Sequence, residues 1–301
     1  MMKGQWRRWG DHVNKKERGI RNLYAWNRLL SCPVCQGSVS VVPEGRLVCG
    51  DGHSFDVARQ GYVNVLTGAV NSAYSKELFH ARAKVIQETP LYRALHKNVG
   101  KLMDREAKKQ DGVYRIGDFG CGEGSHLALL LEGRSNWMGA GLDLSKEGIQ
   151  AATDHEDTPA VWLAADLVNV PLKTGSLDVA LTILSPSNYK EMKRVLKPGG
   201  LAVKVIPGPG YMKEIRDFFQ QNRRDAKENE ALISRFEEAF DDVKAVSVKT
   251  APAVTAPLRK ELCRMSPLAW HAEEGEKERY EKEGAARLTM DLVVLTGRLP
   301  Q

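Results

Sequence analysis

From residue 113 onward, short apolar runs alternate with longer segments in which apolar residues recur every three or four positions. The short runs predict buried strands, and the longer segments predict amphipathic helices. The predicted strands are Val113–Phe119, Trp137–Leu142, Ala160–Ala165, Leu177–Leu184, Leu201–Ile206, Lys244–Thr250 and Thr289–Thr296, with helices near 125–132, 145–153, 187–196, 211–220 and 228–239. This alternation predicts an α/β domain over residues 111–301, built on a seven-stranded, mostly parallel Rossmann-like sheet. Its last two strands are expected to form an antiparallel hairpin at one edge.

Two amphipathic segments precede this domain. Residues 75–88 place apolar side chains on one face, and the charged residues Lys76, Arg82 and Lys84 are expected to point outward. Pro90 ends this helix, and a second helix follows from Leu91 to Ala107. Residues 67–110 are therefore predicted to form a helical linker.

A cysteine-rich segment lies nearer the N-terminus. Cys32-Pro-Val-Cys35 is followed, after thirteen residues, by Cys49-Gly-Asp-Gly-His53. Zinc prefers four thiolate or imidazole ligands at tetrahedral corners. The intervening residues alternate like a β-hairpin that brings the two pairs together. Residues 32–66 are therefore predicted to form a small zinc-binding domain whose structural Zn²⁺ is held by Cys32, Cys35, Cys49 and His53. The alternative is a set of unrelated cysteines beside a surface histidine.

The net charge of +6 belongs to one end of the chain. Residues 1–31 hold eight of the 44 basic and two of the 38 acidic residues, which leaves 36 of each sign elsewhere. These basic residues are interleaved with Trp6, Trp9, Tyr24 and Trp26. Such a segment could bind a nucleic-acid backbone and stack on bases. We expect instead a flexible extension, because mixtures of arginine and tryptophan arise easily.

Composition excludes several classes of protein. The chain is 42% apolar and 27% charged, which is typical of a globular protein. It has no apolar run long enough to span a membrane and no signal-peptide pattern, so we expect a cytoplasmic protein without membrane contact. Five cysteines, an odd number, favour metal ligation over a disulfide framework.

The segment Arg115-Ile-Gly-Asp-Phe-Gly-Cys-Gly-Glu-Gly124 carries the functional prediction. Its glycines follow a predicted strand and precede a helix, where they permit a tight turn and close approach to a ligand. The next strand ends at Asp143, whose carboxylate can accept bonds from ribose hydroxyls. The spacing differs from the dinucleotide pattern and resembles motif I of S-adenosylmethionine (SAM) methyltransferases. We therefore predict a class I SAM-methyltransferase fold, with Gly120, Gly122, Gly124 and Asp143 at the cofactor.

Other residues are assigned by their position on the predicted sheet. Asp166 ends the third strand and is expected to meet the adenine amino group, unless it is a capping or solvated acid. Asp118 is expected to order the glycine loop. The methyl acceptor should lie near Leu184-Ser-Pro-Ser-Asn-Tyr189, although Tyr189 could simply begin a helix, and near Pro207-Gly-Pro-Gly-Tyr211, unless that segment is a plain turn. No pattern identifies a general base, so the catalytic residue is left unassigned.

Several motifs occur together in a specific order. They are the two zinc-ligand pairs, Gly61-Tyr-Val-Asn-Val-Leu66, Asp118–Gly124, Gly141-Leu-Asp-Leu-Ser145, Lys197-Pro-Gly-Gly200, Pro207-Gly-Pro209 and Met265-Ser-Pro-Leu-Ala-Trp270. As a set, over roughly residues 31–298, they resemble the bacterial 23S ribosomal RNA guanine-N1 methyltransferases of the RlmA type. The resemblance implies a zinc-ribbon-like module that helps bind an rRNA hairpin, a domain that methylates guanine N1 using SAM, and a homodimer.

The resemblance also implies individual contacts. Tyr92, Gly122 and Glu123 match SAM-contacting positions of the family. Where the family usually has a histidine after the Pro-Gly-Pro loop, this chain has Tyr211, so the SAM or acceptor contact there is open. Because the body of the chain is neutral, RNA binding would need a local positive face. The candidates for such a face are Arg46, Arg59, Lys76, Arg82 and Lys84, of which the last three could equally form a solvated helix face.

Two other functions remain open from the sequence. The chain could be a SAM methyltransferase of a small molecule or protein, with the zinc module as a lid or dimer contact. It could also be an RNA-binding assembly factor that keeps a SAM fold without turnover. Label transfer from SAM to RNA would separate the three hypotheses.

Overall fold

The computed structural model of the protein describes residues 14–68, 74–220 and 226–300, and for 226–228 the backbone alone. The strands are β1 (Val39–Val42), β2 (Arg46–Cys49), β3 (Ser54–Asp56), β4 (Val63–Asn64), β5 (Tyr114–Phe119), β6 (Trp137–Asp143), β7 (Ala160–Ala164), β8 (Leu177–Ile183), β9 (Leu196–Pro207), β10 (Asp241–Thr250) and β11 (Met290–Arg298). The helices are α1 (Lys15–Trp26), α2 (Lys76–Glu88), α3 (Arg93–Ala107), α4 (Ser125–Leu131), α5 (Lys146–Ala152), α6 (Tyr189–Val195), α7 (Lys213–Phe218), α8 (Ala226–Glu237), α9 (Ala256–Met265) and α10 (Glu274–Glu283).

The large sheet has the order β10-β11-β9-β8-β5-β6-β7-β4. All seven predicted strands are present, and the pairs from β9 through β4 are parallel. Every residue of β7 and β8 is buried, as a sheet covered on both faces requires. The predicted number of strands was one too low, because β4 is only two residues long and joins through backbone pairing of Val63 with Leu163.

The strand order reverses beside β5. The chain runs from β5 to β6 and β7 on one side, and then returns to β8 and β9 on the other side. In open α/β sheets, ligands bind at the carboxyl ends of the strands where the order reverses. The crevice between the ends of β5 and β8 is therefore the expected ligand site.

The last two strands pair antiparallel at one edge of the sheet, as predicted, but a long connection joins them. Strand β11 pairs antiparallel with both β10 and β9, so it lies inside the sheet and β10 forms the edge. The connection from β10 to β11 spans residues 251–289 and contains α9, a 3-10 turn at Pro267–Ala269 and α10. Helix α9 packs against α2, so this connection covers the sheet rather than forming a tight turn.

Helices α2 and α3 belong to the main domain and do not form a linker. Their side chains, including Val85, Leu95, Val99 and Met103, share one hydrophobic core with strand residues such as Ile116. The apolar stripe predicted along each helix is therefore the face that covers the sheet.

The expectation of a flexible extension is wrong for residues 14–31. Helix α1 begins with a capping box, in which Asn14 accepts from Glu17 N–H and Glu17 accepts from Asn14 N–H. Leu23 and Trp26 are fully buried, and Asn22 donates to the Ala160 carbonyl at 2.8 Å. Trp6 and Trp9 lie outside the described residues.

The zinc module shares a core with the large sheet. Strands β1, β2 and β3 form a small antiparallel sheet. Val41 and Leu47 of this sheet belong to the same hydrophobic cluster as Trp26 of α1 and Leu163 of β7. The small module is thereby fixed to one face of the main domain. None of the described helices has the length and apolar character needed to cross a membrane.

Candidate cofactor and metal sites

The glycine loop turns at the carboxyl end of β5. Gly120, Gly122 and Gly124 all have left-handed φ angles, of 79°, 57° and 75°. At Gly120, an added Cβ atom would lie 1.9 Å from Ser185 Oγ, so the loop after β8 approaches the backbone there. At Gly122, the neighbours of an added Cβ would be Phe79 and Arg82 of α2. Glycine is thus required by backbone conformation throughout and by close approach at Gly120.

Gly124 has a packing role. An added Cβ atom there would lie 2.5 Å from the ring of Trp162. A Cβ atom added to Gly141 would lie 2.4 Å from the same ring. The two glycines make room for this tryptophan between α4 and the sheet. Of the three predicted cofactor glycines, Gly120 and Gly122 face the crevice side of the loop, and Gly124 faces the core.

Asp143 orders the glycine loop, a role that the sequence assigned to Asp118. Its Oδ2 accepts a hydrogen bond from Gly122 N–H at 2.8 Å, and its Oδ1 accepts from Ser145 N–H at 2.8 Å. Burial raises the pKa of Asp143, and the two backbone donors oppose that shift. Each carboxylate oxygen can accept a second bond, so a ribose contact remains compatible with this geometry.

Two further acids are buried beside the loop. Asp118 and Glu123 are each 1% exposed. Asp118 Oδ1 and both Glu123 carboxylate oxygens have no hydrogen-bond partner among the described residues. Burial raises the pKa of Asp118 to about 7. Buried carboxylates without partners are costly, so this part of the loop is suited to a cationic group.

Arg82 points into this acidic cluster. Its Nε lies 2.8 Å from Glu123 Oε2, close enough for an ion pair but without the alignment of a hydrogen bond. Burial alone would lower the pKa of Arg82, but the nearby carboxylates, chiefly that of Glu123 and also that of Asp143, outweigh burial and raise it. The prediction that Arg82 points outward was wrong. Its spacing of three residues from Phe79 and four from Ile86 puts it on the apolar face of α2, a signal already present in the sequence.

Tyr92 and Tyr211 meet at the same place. Their hydroxyl oxygens are 2.6 Å apart. Burial raises the pKa of Tyr92, and the hydrogen bond to Tyr211 opposes that shift. Asp291 fixes the loop that carries Tyr211, because Gly210 N–H donates to Asp291 Oδ2 at 2.9 Å. Tyr211 therefore contacts Tyr92, the tyrosine that the family resemblance assigns to the cofactor.

Asp166 lies apart from this cluster. It is exposed, and its Oδ1 accepts from Val168 N–H at 2.9 Å.

Other side chains lie near the sheet ends. Tyr189 begins helix α6, which was the alternative to an acceptor contact, and its ring packs against Phe236 and Phe240. A partly buried histidine pair that the sequence did not indicate lies near Tyr92: His96 Nε2 and His126 Nδ1 are 2.8 Å apart. Burial lowers the pKa of both histidines, that of His96 to about 4.

The four predicted zinc ligands lie together. The Sγ atoms of Cys32, Cys35 and Cys49 and a ring nitrogen of His53 all lie within 4.8 Å of one another. Cys49 Sγ is 3.2 Å from His53 Nδ1 and 3.7 Å from Cys35 Sγ. Three thiols and one imidazole in this arrangement fit a four-coordinate structural zinc. The hairpin of β1 and β2 brings the two ligand pairs together, as predicted.

The glycine loop at the strand reversal, with an acid ending the next strand, defines the chain as an S-adenosylmethionine-dependent methyltransferase. Residues 117–203 match the family described as a methyltransferase domain, and residues 30–72 match the family described as RlmA, N-terminal, a zinc ribbon. The cofactors SAM and zinc follow from these two regions and the cysteine cluster.

Relatives extend over most of the chain. A Bacillus subtilis (strain 168) protein assigned as a 23S rRNA (guanine-N1)-methyltransferase is 34% identical over 276 residues, covering 89% of this chain and 96% of its own length. The Streptomyces fradiae 23S rRNA (guanine(748)-N1)-methyltransferase is 30% identical over 251 residues, covering 83% and 88%. The chain belongs to the RlmA-type family of 23S rRNA (guanine-N1)-methyltransferases.

Proposed function

We propose that this protein transfers a methyl group from SAM to N1 of a guanine in 23S rRNA. One observation carries the proposal: of the residues assigned to the cofactor, Tyr92, Glu123, Asp143 and Tyr211 lie in one cluster at the strand reversal, beside a zinc module that shares the sheet's core. The curated relatives support the rRNA substrate through the activity in their names.

The residues present fit the cofactor. SAM carries a sulfonium, an ammonium and a carboxylate, and it supplies the methyl group. The buried carboxylates of Asp118, whose Oδ1 has no hydrogen-bond partner, and of Glu123, which is paired only with Arg82, suit its cationic groups. Arg82 is the guanidinium at the centre of this cluster and suits the cofactor carboxylate. Asp143 would meet the ribose and Asp166 the adenine edge, while Tyr92 and Tyr211 form the wall between α2 and the loop after β9.

Helix α2 must adjust when the cofactor binds. Phe79 lies against Gly148 and Gly122, and Arg82 pairs with Glu123. As a result, Gly122, Glu123 and Tyr92 are buried by the chain's own side chains. We propose that Arg82 exchanges Glu123 for the cofactor carboxylate, with a matching shift of Phe79.

Methyl transfer from a sulfonium is an in-line displacement, so positioning the donor and acceptor supplies much of the acceleration. The glycine loop fixes the donor side. The loops after β8 and β9 lie on the acceptor side, and each contains a non-glycine residue with left-handed φ, Leu184 at 55° and Met212 at 51°. Such strain persists only where the surrounding structure fixes it, as at functional sites.

We further propose that the target lies in an rRNA hairpin, that two copies form the RNA cleft, and that the enzyme works in the cytoplasm, where ribosomal RNA is processed. The family resemblance supports the hairpin and the dimer. Val34, beside the zinc ligands, and Val168, in the neighbouring loop of the sheet, are exposed apolar side chains that a partner or RNA could cover. Light scattering of the purified protein would test the dimer, and a hairpin transcript compared with intact 23S rRNA would test the target.

The decisive experiment incubates the protein with radiolabelled SAM and deproteinised 23S rRNA from a strain lacking its gene. Label should appear in RNA, and primer extension should stop at one guanine, because an N1-methyl group blocks base pairing. Asp118→Ala is the matched inactive control. Label in protein or small molecules would favour the second function, and SAM binding without any label would favour a non-catalytic assembly factor.

A further inference from the structure

Lys204 is a buried ammonium that the cofactor site does not use. It lies in β9, is 3% exposed, and is paired in register with Thr182 of β8 and Leu295 of β11. No carboxylate in residues 14–68, 74–220 or 229–300 forms an ion pair with it within 4.0 Å. Burying an unpaired ammonium costs stability, and burial lowers the pKa of Lys204 to about 8. Folding alone therefore gives no reason for a lysine here.

The lysine holds the loop that follows β8. Its Nζ donates to Ser187 Oγ at 2.6 Å and to the Ser185 carbonyl at 3.3 Å. Thr182 Oγ1 donates to the same carbonyl at 3.3 Å. The ring of Tyr189 lies 5.9 Å from the ammonium, within the range of a cation–π contact. The polar groups of this small cluster thus all act on residues 185–189.

The loop held in this way is strained and abuts the glycine loop. Leu184 adopts φ = 55°, and its N–H donates to the Val205 carbonyl at 3.0 Å, the last sheet bond of β8. A leucine in this region of backbone space is strained, so other contacts must hold it. Immediately after it, Ser185 lies so close to Gly120 that no side chain fits between them.

We propose that Lys204 is a positioning residue for methyl transfer, which fixes loop 184–188 against Gly120 as the wall on which the acceptor base rests. The inference rests on the proposed function for the identity of that acceptor. Lys204 does not touch the reacting atoms; it acts through Ser185 and Ser187. Loss of the ammonium would free the loop while leaving the cofactor cluster around Arg82 in place.

The test compares Lys204→Met with Lys197→Met on the same strand. Lys197 lies at the opposite end of β9 and pairs with the buried Asp178 at 2.5 Å. Lys204→Met should keep or raise the melting temperature and leave SAM affinity unchanged, while kcat at saturating SAM and 23S rRNA falls roughly 10- to 100-fold. Lys197→Met should lower the melting temperature, because it leaves the buried Asp178 carboxylate without its cationic partner, and should keep kcat.

Unchanged kcat in Lys204→Met, or a kcat loss that merely follows a lower melting temperature, would overturn the inference. Amide hydrogen exchange of a peptide covering 184–192 provides a readout independent of the substrate. Exchange should be faster there in Lys204→Met than in the wild type, and equal rates would contradict the role of Lys204 in holding the loop. If wild-type protein labels no RNA, the proposed function fails, and the exchange measurement still decides the role of Lys204.

Discussion

The carboxylate of Asp143 accepts a hydrogen bond from the backbone N–H of Gly122, across the gap between the ends of β6 and β5. Its other oxygen accepts from Ser145 N–H at the start of α5. One side chain thus ties the glycine loop to the next strand and the next helix. Asp143, which is expected to bind the ribose, therefore also fixes the loop that receives the cofactor.

Replacing Asp143 should accordingly affect the loop and the ligand together. Asp143→Ala removes two charge-assisted hydrogen bonds, so SAM affinity should fall by roughly 1–3 kcal/mol and the melting temperature of the free protein should fall as well. Calorimetry and thermal unfolding test both effects. A loss of affinity with no change in unfolding would assign Asp143 to the ribose alone, and unchanged affinity would remove it from the site.

Arg82→Gln should weaken binding of ligands that have a carboxylate and spare those that lack one. If the guanidinium holds the cofactor carboxylate, the affinity for S-adenosylhomocysteine should fall roughly 10- to 100-fold, the usual loss for a charged hydrogen bond. The affinity for methylthioadenosine, which lacks the amino-acid part, should not change. Isothermal calorimetry with both ligands makes the comparison.

The control for this variant is Lys84→Gln, on the same helix. Lys84 is exposed and pairs with Glu261 at 3.3 Å on α9, away from the glycine loop. It should leave both affinities unchanged. Tighter binding of S-adenosylhomocysteine to Arg82→Gln would show that Arg82 competes with the cofactor for Glu123 and would contradict the carboxylate contact.

Cofactor binding should release a proton from Asp118. Its pKa near 7 in the free protein means that the carboxyl is largely protonated below neutral pH, and a nearby cation would lower that pKa. SAM affinity should therefore fall as the pH drops below about 7, where the proton must be displaced. Binding heats measured near pH 6.5 in two buffers of different ionisation enthalpy should differ for the wild type and agree for Asp118→Asn.

The parallel sheet could be predicted because strands covered on both faces read as continuous apolar runs, as in β7 and β8. The zinc ligands and glycine loop could be predicted because their chemistry fixes residue type and spacing. Helix α10 gave no such signal, since Tyr280 is its one buried side chain and the rest of the helix is strongly charged.

Charged side chains were the main source of error. Arg82 reads as a solvated residue, although its position on the apolar face of α2 points it at Glu123. The sequence also does not specify which of two acids faces a backbone donor, so it predicts that Asp118 orders the glycine loop, although Asp143 does so. The basic composition of helix α1 obscures it, although Leu23 and Trp26 are spaced three residues apart and are buried.

Helix α1 should contribute measurably to stability. Trp26 is fully buried in the core shared by the zinc module and the large sheet. Trp26→Ala should lower the free energy of unfolding by about 3–5 kcal/mol, the usual cost of removing a large buried side chain. Tyr24→Ala, an exposed aromatic two positions away, should cost much less. If the two variants lower the free energy of unfolding equally in denaturant titrations, the packing of Trp26 does not stabilise the fold.

Zinc removal should unfold the small module first. Its three strands are too few to be stable by apolar burial alone, so the metal supplies much of its folding free energy. Elemental analysis should give about one zinc per chain if the four ligands form one site.

The Cys35→Ala variant tests the role of the metal. It should lose the zinc, its β1–β3 amides should exchange faster, and it should bind 23S rRNA more weakly. Its SAM affinity should be retained, because the glycine loop lies at the strand reversal. Cys263→Ala, outside the cluster in α9, is the matched control and should keep both zinc and RNA affinity. Full zinc occupancy in Cys35→Ala would rule out the four-ligand site, and loss of SAM binding would show that the module supports the cofactor crevice as well as the RNA.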